Sequence, residues 1–134
     1  PGENMRSLAE IASSGEISRV MLATKSILAQ HDRIPVLVFD EIDANVGGEM
    51  GNAIGKRLRS IAAHHQVLCI THLPQVAVSG SNHFVVTKKV AAGRTRTAIE
   101  QVEKEARVEE IARMLGGRES SSVVLRHARE MLEG

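Results

Sequence analysis

The sequence predicts an α/β fold: a mostly parallel sheet flanked by helices, followed by a β-hairpin and two C-terminal helices. The apolar runs 36–39 and 67–71 have the length of buried strands, and the segment between them has helical spacing. A strand–helix–strand unit of this kind is parallel and right-handed. A third apolar run, 84–87, precedes a hairpin pattern.

Helix and strand alternate through the first part of the chain. Residues 1–14 are predicted to be irregular, and the Ser13-Ser14-Gly15 turn opens a helix through about residue 30. Pro35 ends the connection to the first strand. A loop over 43–48 and an amphipathic helix to about residue 64 lead to the second strand, and Pro74 suits the first turn of a short helix.

In the second part, the strand 84–87 turns through Ala92-Gly93 into a return strand over 95–102. A helix around 108–115 stops at Gly116-Gly117, and a last helix covers 123–132. A chain of 134 residues is one domain or a lobe of a larger one. Its first residues, Pro1 and Gly2, favour a fragment.

The composition is that of a soluble globular protein, with 43% hydrophobic and 25% charged residues. Aromatic residues make up only 1%, which predicts an aliphatic core and argues against base stacking on single-stranded nucleic acid. The net charge of +1 indicates no nucleic-acid partner by itself. The single cysteine, Cys69, lies in an apolar run and is expected to be a buried, inert thiol. No apolar run approaches the roughly 18 residues of a membrane span.

Two adjacent acids, Asp40 and Glu41, follow directly after four apolar residues. Ligands of open α/β sheets gather at the carboxyl ends of the strands. This predicts Asp40 as a partner of Mg²⁺ through water and Glu41 as a general base for attacking water. Acids that simply return a strand to solvent are the alternative. Asp43 fits a loop-fixing acid, a contact to a partner subunit, or an Asx turn.

His72 ends the second strand, so it emerges at the same sheet edge as Asp40 if the two strands are adjacent and parallel. There an imidazole suits contact with a terminal phosphate or orientation of water, although a lone histidine is often structural. Where the loop becomes a helix, backbone N–H groups and the helix dipole favour an anion, and an ordinary N-cap is the alternative. The residues at that transition are Ser13, Ser14, Gly15 and Glu16.

Four basic residues surround the predicted hairpin and fit either contacts to DNA phosphates or a solvated face. They are Lys88, Lys89, Arg94 and Arg96. A non-catalytic DNA-binding or interaction lobe is therefore the alternative to an enzyme. The chain contains no GxxxxGK[ST] phosphate loop, so it has no cradle of its own for the β- and γ-phosphates.

The order of these motifs resembles the C-terminal lobe of the ATPase head in ATP-binding-cassette ATPases of the structural-maintenance-of-chromosomes (SMC) type. The resemblance covers essentially the whole chain. Within this class, the chain is most similar to the bacterial members that repair DNA double-strand breaks. The segments that carry it are Ala12-Ser13-Ser14-Gly15-Glu16-Ile17-Ser18-Arg19, Val38-Phe39-Asp40-Glu41-Ile42-Asp43, Cys69-Ile70-Thr71-His72-Leu73-Pro74-Gln75-Val76-Ala77, and Ala106-Arg107-Val108-Glu109-Glu110-Ile111-Ala112-Arg113-Met114-Leu115-Gly116-Gly117.

The resemblance implies ATP and Mg²⁺ as cofactors and assigns a role to each site residue. Asp40 lies near Mg²⁺, and Glu41 is the catalytic base. Asp43 is the loop acid of the nucleotide-binding dimer interface, and His72 senses the γ-phosphate. The signature motif, which contacts ATP held by the opposing head, comprises Ser13, Ser14, Gly15 and Glu16.

The resemblance also implies partners. They are the N-terminal lobe of the same protein, which carries the phosphate loop, a second head in a homodimer, and DNA, with no membrane. The intact protein would be a cytoplasmic, nucleoid-associated ATPase, and this lobe alone would be inactive. The signature normally has two consecutive glycines, and Ser14 replaces the first. A Cβ is costly there if the position needs a positive φ or close contact with a phosphate.

Overall fold

The structure, a computed structural model, describes residues 12–29, 31, 33–91, 94–116 and 121–134. The predicted entry over 1–11, the helix end at Gln30, the Ala92-Gly93 turn and Gly117 lie outside these ranges. The chain divides into two compact units, which we call unit 1 (Pro1–Val76) and unit 2 (Ala77–Gly134).

Unit 1 contains the predicted strand–helix–strand arrangement. Helix α1 (Ser14–Leu28) precedes strand β1 (Val36–Phe39), and helix α2 (Gly48–Ile61) connects β1 to strand β2 (Gln66–Cys69). The strands pair in parallel, with Val36 opposite Gln66 and Phe39 opposite Cys69. A short helix, α3 (Pro74–Ala77), follows. The parallel pairing agrees with the sequence prediction.

The core of unit 1 is aliphatic apart from Phe39, as the composition predicts. Alternation along β1 buries Leu37 and Phe39 on one face of the sheet and exposes its other face. The buried residues are Leu22, Leu37, Phe39, Ile42, Ile54, Leu58, Ile61 and Val76. On the other face, Val38 is 62% exposed and Ile70 is 61% exposed. Within the described ranges, burial of these strands on both faces is therefore a wrong prediction.

Unit 2 contains the predicted hairpin and the two C-terminal helices. Strand β3 (His83–Ala91) pairs antiparallel with strand β4 (Arg94–Val102), and each has nine residues. Helices α4 (Lys104–Met114) and α5 (Ser122–Glu133) pack on each other. The buried residues of this small core are Val108, Ile111, Ala112 and Ala128.

The mostly parallel sheet predicted from the sequence is not what the described strands form. They form one two-stranded parallel sheet and one two-stranded antiparallel sheet. The physical reason is connection length. Only two residues separate β3 from β4, which favours local antiparallel pairing, whereas the longer crossover through α2 allows a parallel pair. No helix in the described ranges combines the length and apolar character required to cross a membrane.

Candidate functional site

The carboxyl ends of β1 and β2 lie at the same edge of the parallel sheet, because the two strands pair in register. The N–H of Ile70 donates to the carbonyl of Phe39 at 2.9 Å, so the pairing continues to this edge. Asp40 and Glu41 leave β1 here, and His72 follows β2. The structure therefore brings the three candidate residues to one edge, while their chemical roles stay predictions.

Asp43 connects the loop after β1 to the segment after β2. Its side chain is almost fully buried, and its Oδ2 atom accepts the Thr71 hydroxyl at 2.6 Å. The same oxygen accepts the backbone N–H groups of His72 at 2.8 Å and Leu73 at 3.1 Å. These bonds fix the loop that follows β1, which is one of the roles that the sequence allows for Asp43.

Hydrogen bonds stabilise the ionised form of the Asp43 carboxylate. Burial acts to raise its pKa, but donation from the Thr71 hydroxyl and the His72 backbone outweighs burial, and the net pKa is lowered. Nδ1 of the His72 ring lies 3.1 Å from the same carboxylate oxygen. This contact anchors the ring at one nitrogen. The rest of the ring is accessible to solvent, because the His72 side chain is 73% exposed.

Glu41 has a backbone conformation that is uncommon for a residue with a side chain. Its φ of 55° lies in the left-handed region, which costs a non-glycine residue about 1–2 kcal/mol. Its carbonyl accepts the N–H of Ala44 at 3.0 Å, which closes a tight turn. The Ser14 hydroxyl donates to Oε2 of the Glu41 carboxylate. Strain of this kind is often retained at functional sites.

The first turns of α1 hold the loop that carries the acids. Ser18 donates to the carbonyl of Asp40 at 2.9 Å. Arg19 donates to the carbonyls of Ile42 at 3.3 Å and Ala44 at 3.0 Å. Ser18, Arg19 and Thr71 were not among the site residues predicted from the sequence. For the first two, a signal was available: they lie four residues after Ser14 and Gly15 and therefore share their face of the helix.

Gly15 is required by close packing against the same loop. It is buried, and a Cβ built on it would lie 2.9 Å from the Glu41 carbonyl oxygen and 2.9 Å from Cβ of Ala44. Contacts under 3.0 Å force a backbone or side-chain shift. The glycine of this predicted signature motif thus has a structural role within unit 1.

Ser13 is the N-cap of α1. Glu16 donates its N–H to the Ser13 hydroxyl at 3.4 Å, and the Ser13 N–H donates to the Glu16 carboxylate at 2.8 Å, forming a capping box. The backbone bond from Ser13, and then the Ser13 hydroxyl, lower the pKa of Glu16. Ser14 is helical and is not among the described non-glycine residues with positive φ. Its Cβ therefore causes no backbone strain of the positive-φ kind.

Asp40 fits a water-mediated Mg²⁺ partner. Its side chain is exposed, and the described residues place no hydrogen-bond donor on its carboxylate. Those residues contain no group of three or more His, Cys, Asp or Glu side chains that could hold a metal ion. Mg²⁺ commonly takes one or two carboxylates, several waters and substrate phosphates, so a single free acid is compatible with it.

Cys69 lies near this edge and is half-buried. Burial, with smaller contributions from the charges of Asp43 and Asp40, raises the pKa of its thiol to about 12. The thiol therefore stays protonated, which agrees with the predicted inert cysteine.

The basic residues proposed for DNA lie in unit 2, on the hairpin, and all four are exposed. Lys89 is opposite Arg96, and alternation places Arg94 on the same face of the hairpin. Lys88 lies on the other face. The four residues therefore do not form one patch, which weakens the hypothesis of a DNA-binding lobe.

The fold is similar to that of a solved SMC ATPase structure. The chain matches a chain of a solved structure from work on the structural biochemistry of ATP-driven dimerization and DNA-stimulated activation of SMC ATPases, with a TM-score of 0.55. The match covers 87% of this chain and 70% of the other, at 14% identity, which shows the fold alone. No protein-family model matches.

Sequence relatives are closer, and they are named DNA repair protein RecN. Identity is 44% over 133 residues in Halalkalibacterium halodurans, 42% over 132 in Bacillus subtilis and 49% over 117 in Xylella fastidiosa. The matches cover 99%, 98% and 87% of this chain. The chain is similar to these RecN proteins over nearly its whole length, and it spans about a quarter of their length, 24%, 23% and 21% respectively.

Proposed function

We propose that this chain is the C-terminal lobe of the ATPase head of a RecN protein. The intact protein hydrolyses ATP to ADP and phosphate in recombinational repair of DNA double-strand breaks. The observation that supports this most is the shared edge, where Asp40 and Glu41 leave β1 and His72 leaves β2. Asp43 holds the two segments together at this edge.

The proposed chemistry follows from the position of each side chain. Asp40, which is exposed and has no protein donor on its carboxylate among the described residues, would hold Mg²⁺ through a water. Mg²⁺, when bound, neutralises charge on the phosphate oxygens. Glu41 orients or deprotonates the attacking water. His72, anchored by Asp43 and otherwise accessible, contacts the γ-phosphate and stabilises its charge.

The proposed site is composite. With no phosphate loop in this chain, the N-terminal lobe of the same protein supplies it. Ser13, Ser14, Gly15 and Glu16, at the start of α1, meet the ATP of a second head. ATP binding thus drives dimerisation of two heads, and hydrolysis opens the dimer. The intact protein acts on DNA in the cytoplasm, associated with the nucleoid.

Steady-state ATP turnover by the isolated chain and by the intact protein tests the composite site. We expect turnover by the intact protein with Mg²⁺ and none by the isolated chain. Light scattering should show that ATP, but not ADP, converts the intact protein to a dimer through its heads. Robust turnover by the isolated chain would contradict the proposal.

A further inference from the structure

We propose that Ser14 is a positioning residue for Glu41. Its hydroxyl holds one oxygen of the Glu41 carboxylate and thereby directs the other toward the attacking water. This inference rests on the proposed function, because it gives a role to Ser14 only if Glu41 is the base. It concerns the Ser14 hydroxyl and a contact within one chain, which is separate from the contact that the start of α1 makes with the ATP of a second head.

The donor is well fixed. Ser14 is the first residue of α1, directly after the capping box of Ser13 and Glu16. The capping bonds of 3.4 Å and 2.8 Å hold the backbone on either side of it. The origin of the Ser14 side chain therefore moves little relative to the helix.

The loop that carries the acceptor is fixed against the same helix. Gly15 lies so close to the Glu41 carbonyl that a Cβ would come within 2.9 Å of it. Ser18 holds the carbonyl of Asp40 at 2.9 Å, and Arg19 holds the carbonyl of Ala44 at 3.0 Å. These contacts bracket Glu41 on both sides in sequence, so the backbones of Ser14 and Glu41 are held at a constant separation.

The Glu41 carboxylate itself has few other constraints. Its side chain is exposed, and the contacts of the described residues give it the Ser14 hydroxyl as its side-chain partner. A free glutamate side chain samples many rotamers, whereas a general base must face the proton that it takes. The Ser14 bond occupies Oε2 and leaves Oε1 available. One hydroxyl therefore selects which oxygen can serve as the base.

The test uses the intact protein with Ser14→Ala, which removes the hydroxyl, and Ser14→Thr, which keeps it. Ser60→Ala, an exposed helical serine of α2, is the matched control. We expect Ser14→Ala to lower kcat for ATP about tenfold and to change KM by less than about twofold, because the orientation of Glu41 is lost while the backbone N–H groups at the start of α1 remain. Ser14→Thr should retain kcat within about threefold, and Ser60→Ala should match the wild type.

An unchanged kcat in Ser14→Ala would overturn the inference. A rise in KM with kcat unchanged would also overturn it, since the Ser14 hydroxyl would then act in nucleotide binding alone. Circular dichroism of each variant checks that the fold is retained.

A parallel measurement on Glu41→Gln separates the two proposals. If Glu41→Gln keeps wild-type turnover, the proposed function fails. If Glu41→Gln abolishes turnover while Ser14→Ala keeps wild-type kcat, only the role of Ser14 fails. When Ser14→Ala is added to Glu41→Gln, residual turnover should not fall further, because the two residues act as one unit. An additional tenfold loss would mean that Ser14 acts through another group.

Discussion

The Oδ2 atom of Asp43 lies 2.8 Å from the backbone nitrogen of His72 and 3.1 Å from Nδ1 of its imidazole. One buried carboxylate oxygen therefore positions both the backbone and the ring of the histidine. Thr71 donates to the same oxygen. The arrangement makes the two segments that follow β1 and β2 a single hydrogen-bonded edge, and it sets the orientation of His72 beside the two acids.

The lowered pKa of Asp43 predicts an acid-dependent loss of stability. Because its pKa in the folded chain is below the ordinary value of 3.8, the unfolded chain binds this proton more readily. The stabilisation is fully present above 3.8 and is lost as the pH falls through the lower folded pKa. Urea denaturation across this range should show a shallower decline for Asp43→Asn than for the wild type. An identical decline of the free energy of unfolding with falling pH in both proteins would contradict the assigned hydrogen bonds.

Packing of Gly15 predicts a cost for one added methyl group. Gly15→Ala should destabilise the chain by about 1–3 kcal/mol, since its Cβ meets the Glu41 carbonyl and Ala44. Gly47→Ala is the comparison: nothing lies within 4 Å of its added Cβ and its φ is −86°, so its cost is that of alanine at the N-cap of α2, at most about 1 kcal/mol. Urea denaturation of both variants measures the difference. Equal stabilities would rule out the close packing of α1 on the acid loop.

The left-handed backbone of Glu41 predicts that glycine at this position is more stable than alanine, although both substitutions abolish activity. Glu41→Gly and Glu41→Ala both remove the carboxylate, but only glycine tolerates a φ of 55° without strain. We expect Glu41→Gly to be more stable than Glu41→Ala by about 0.5–1 kcal/mol in thermal or urea denaturation. Both variants should lose ATP turnover in the intact protein. A more stable alanine variant would argue against the strained conformation.

The raised pKa of the Cys69 thiol predicts slow labelling. With a pKa of about 12, little thiolate exists at pH 8 in the folded chain. An aromatic disulfide reagent should therefore react with the native chain much more slowly than with the chain in urea, and the released chromophore measures both rates. Cys69 is the single cysteine in the sequence, so the signal has one source. Equal rates would show an accessible, reactive thiol.

Topology made the edge of the site predictable. The apolar runs and the helix between them indicated two parallel strands, and parallel strands place Asp40, Glu41 and His72 at one edge. The burial of Asp43 was not predictable in the same way, because it depends on donors from Thr71 and Leu73 that approach only in the folded chain. Local sequence shows a loop acid and does not show which groups surround it.

Context decided the burial of β1, where the prediction failed, and the faces of the hairpin, which the sequence left open. The apolar run of β1 shows what the strand is able to bury, but Val38 is 62% exposed because the described residues cover one face of the sheet. Lys88 and Lys89 are neighbours in sequence, yet the hairpin places them on opposite faces. Register and neighbouring elements, which a single segment does not encode, decide both outcomes.

Replacing Glu41 with glutamine in the intact protein is the decisive test of Glu41 as the catalytic base. The amide keeps the size of the side chain but cannot accept a proton, so steady-state ATP turnover should fall at least about a hundredfold. Glu133→Gln, an exposed glutamate at the end of α5, is the control and should match the wild type. ATP-dependent dimerisation of the Glu41→Gln protein should persist. Wild-type turnover by Glu41→Gln would contradict the assignment of Glu41 as the catalytic base.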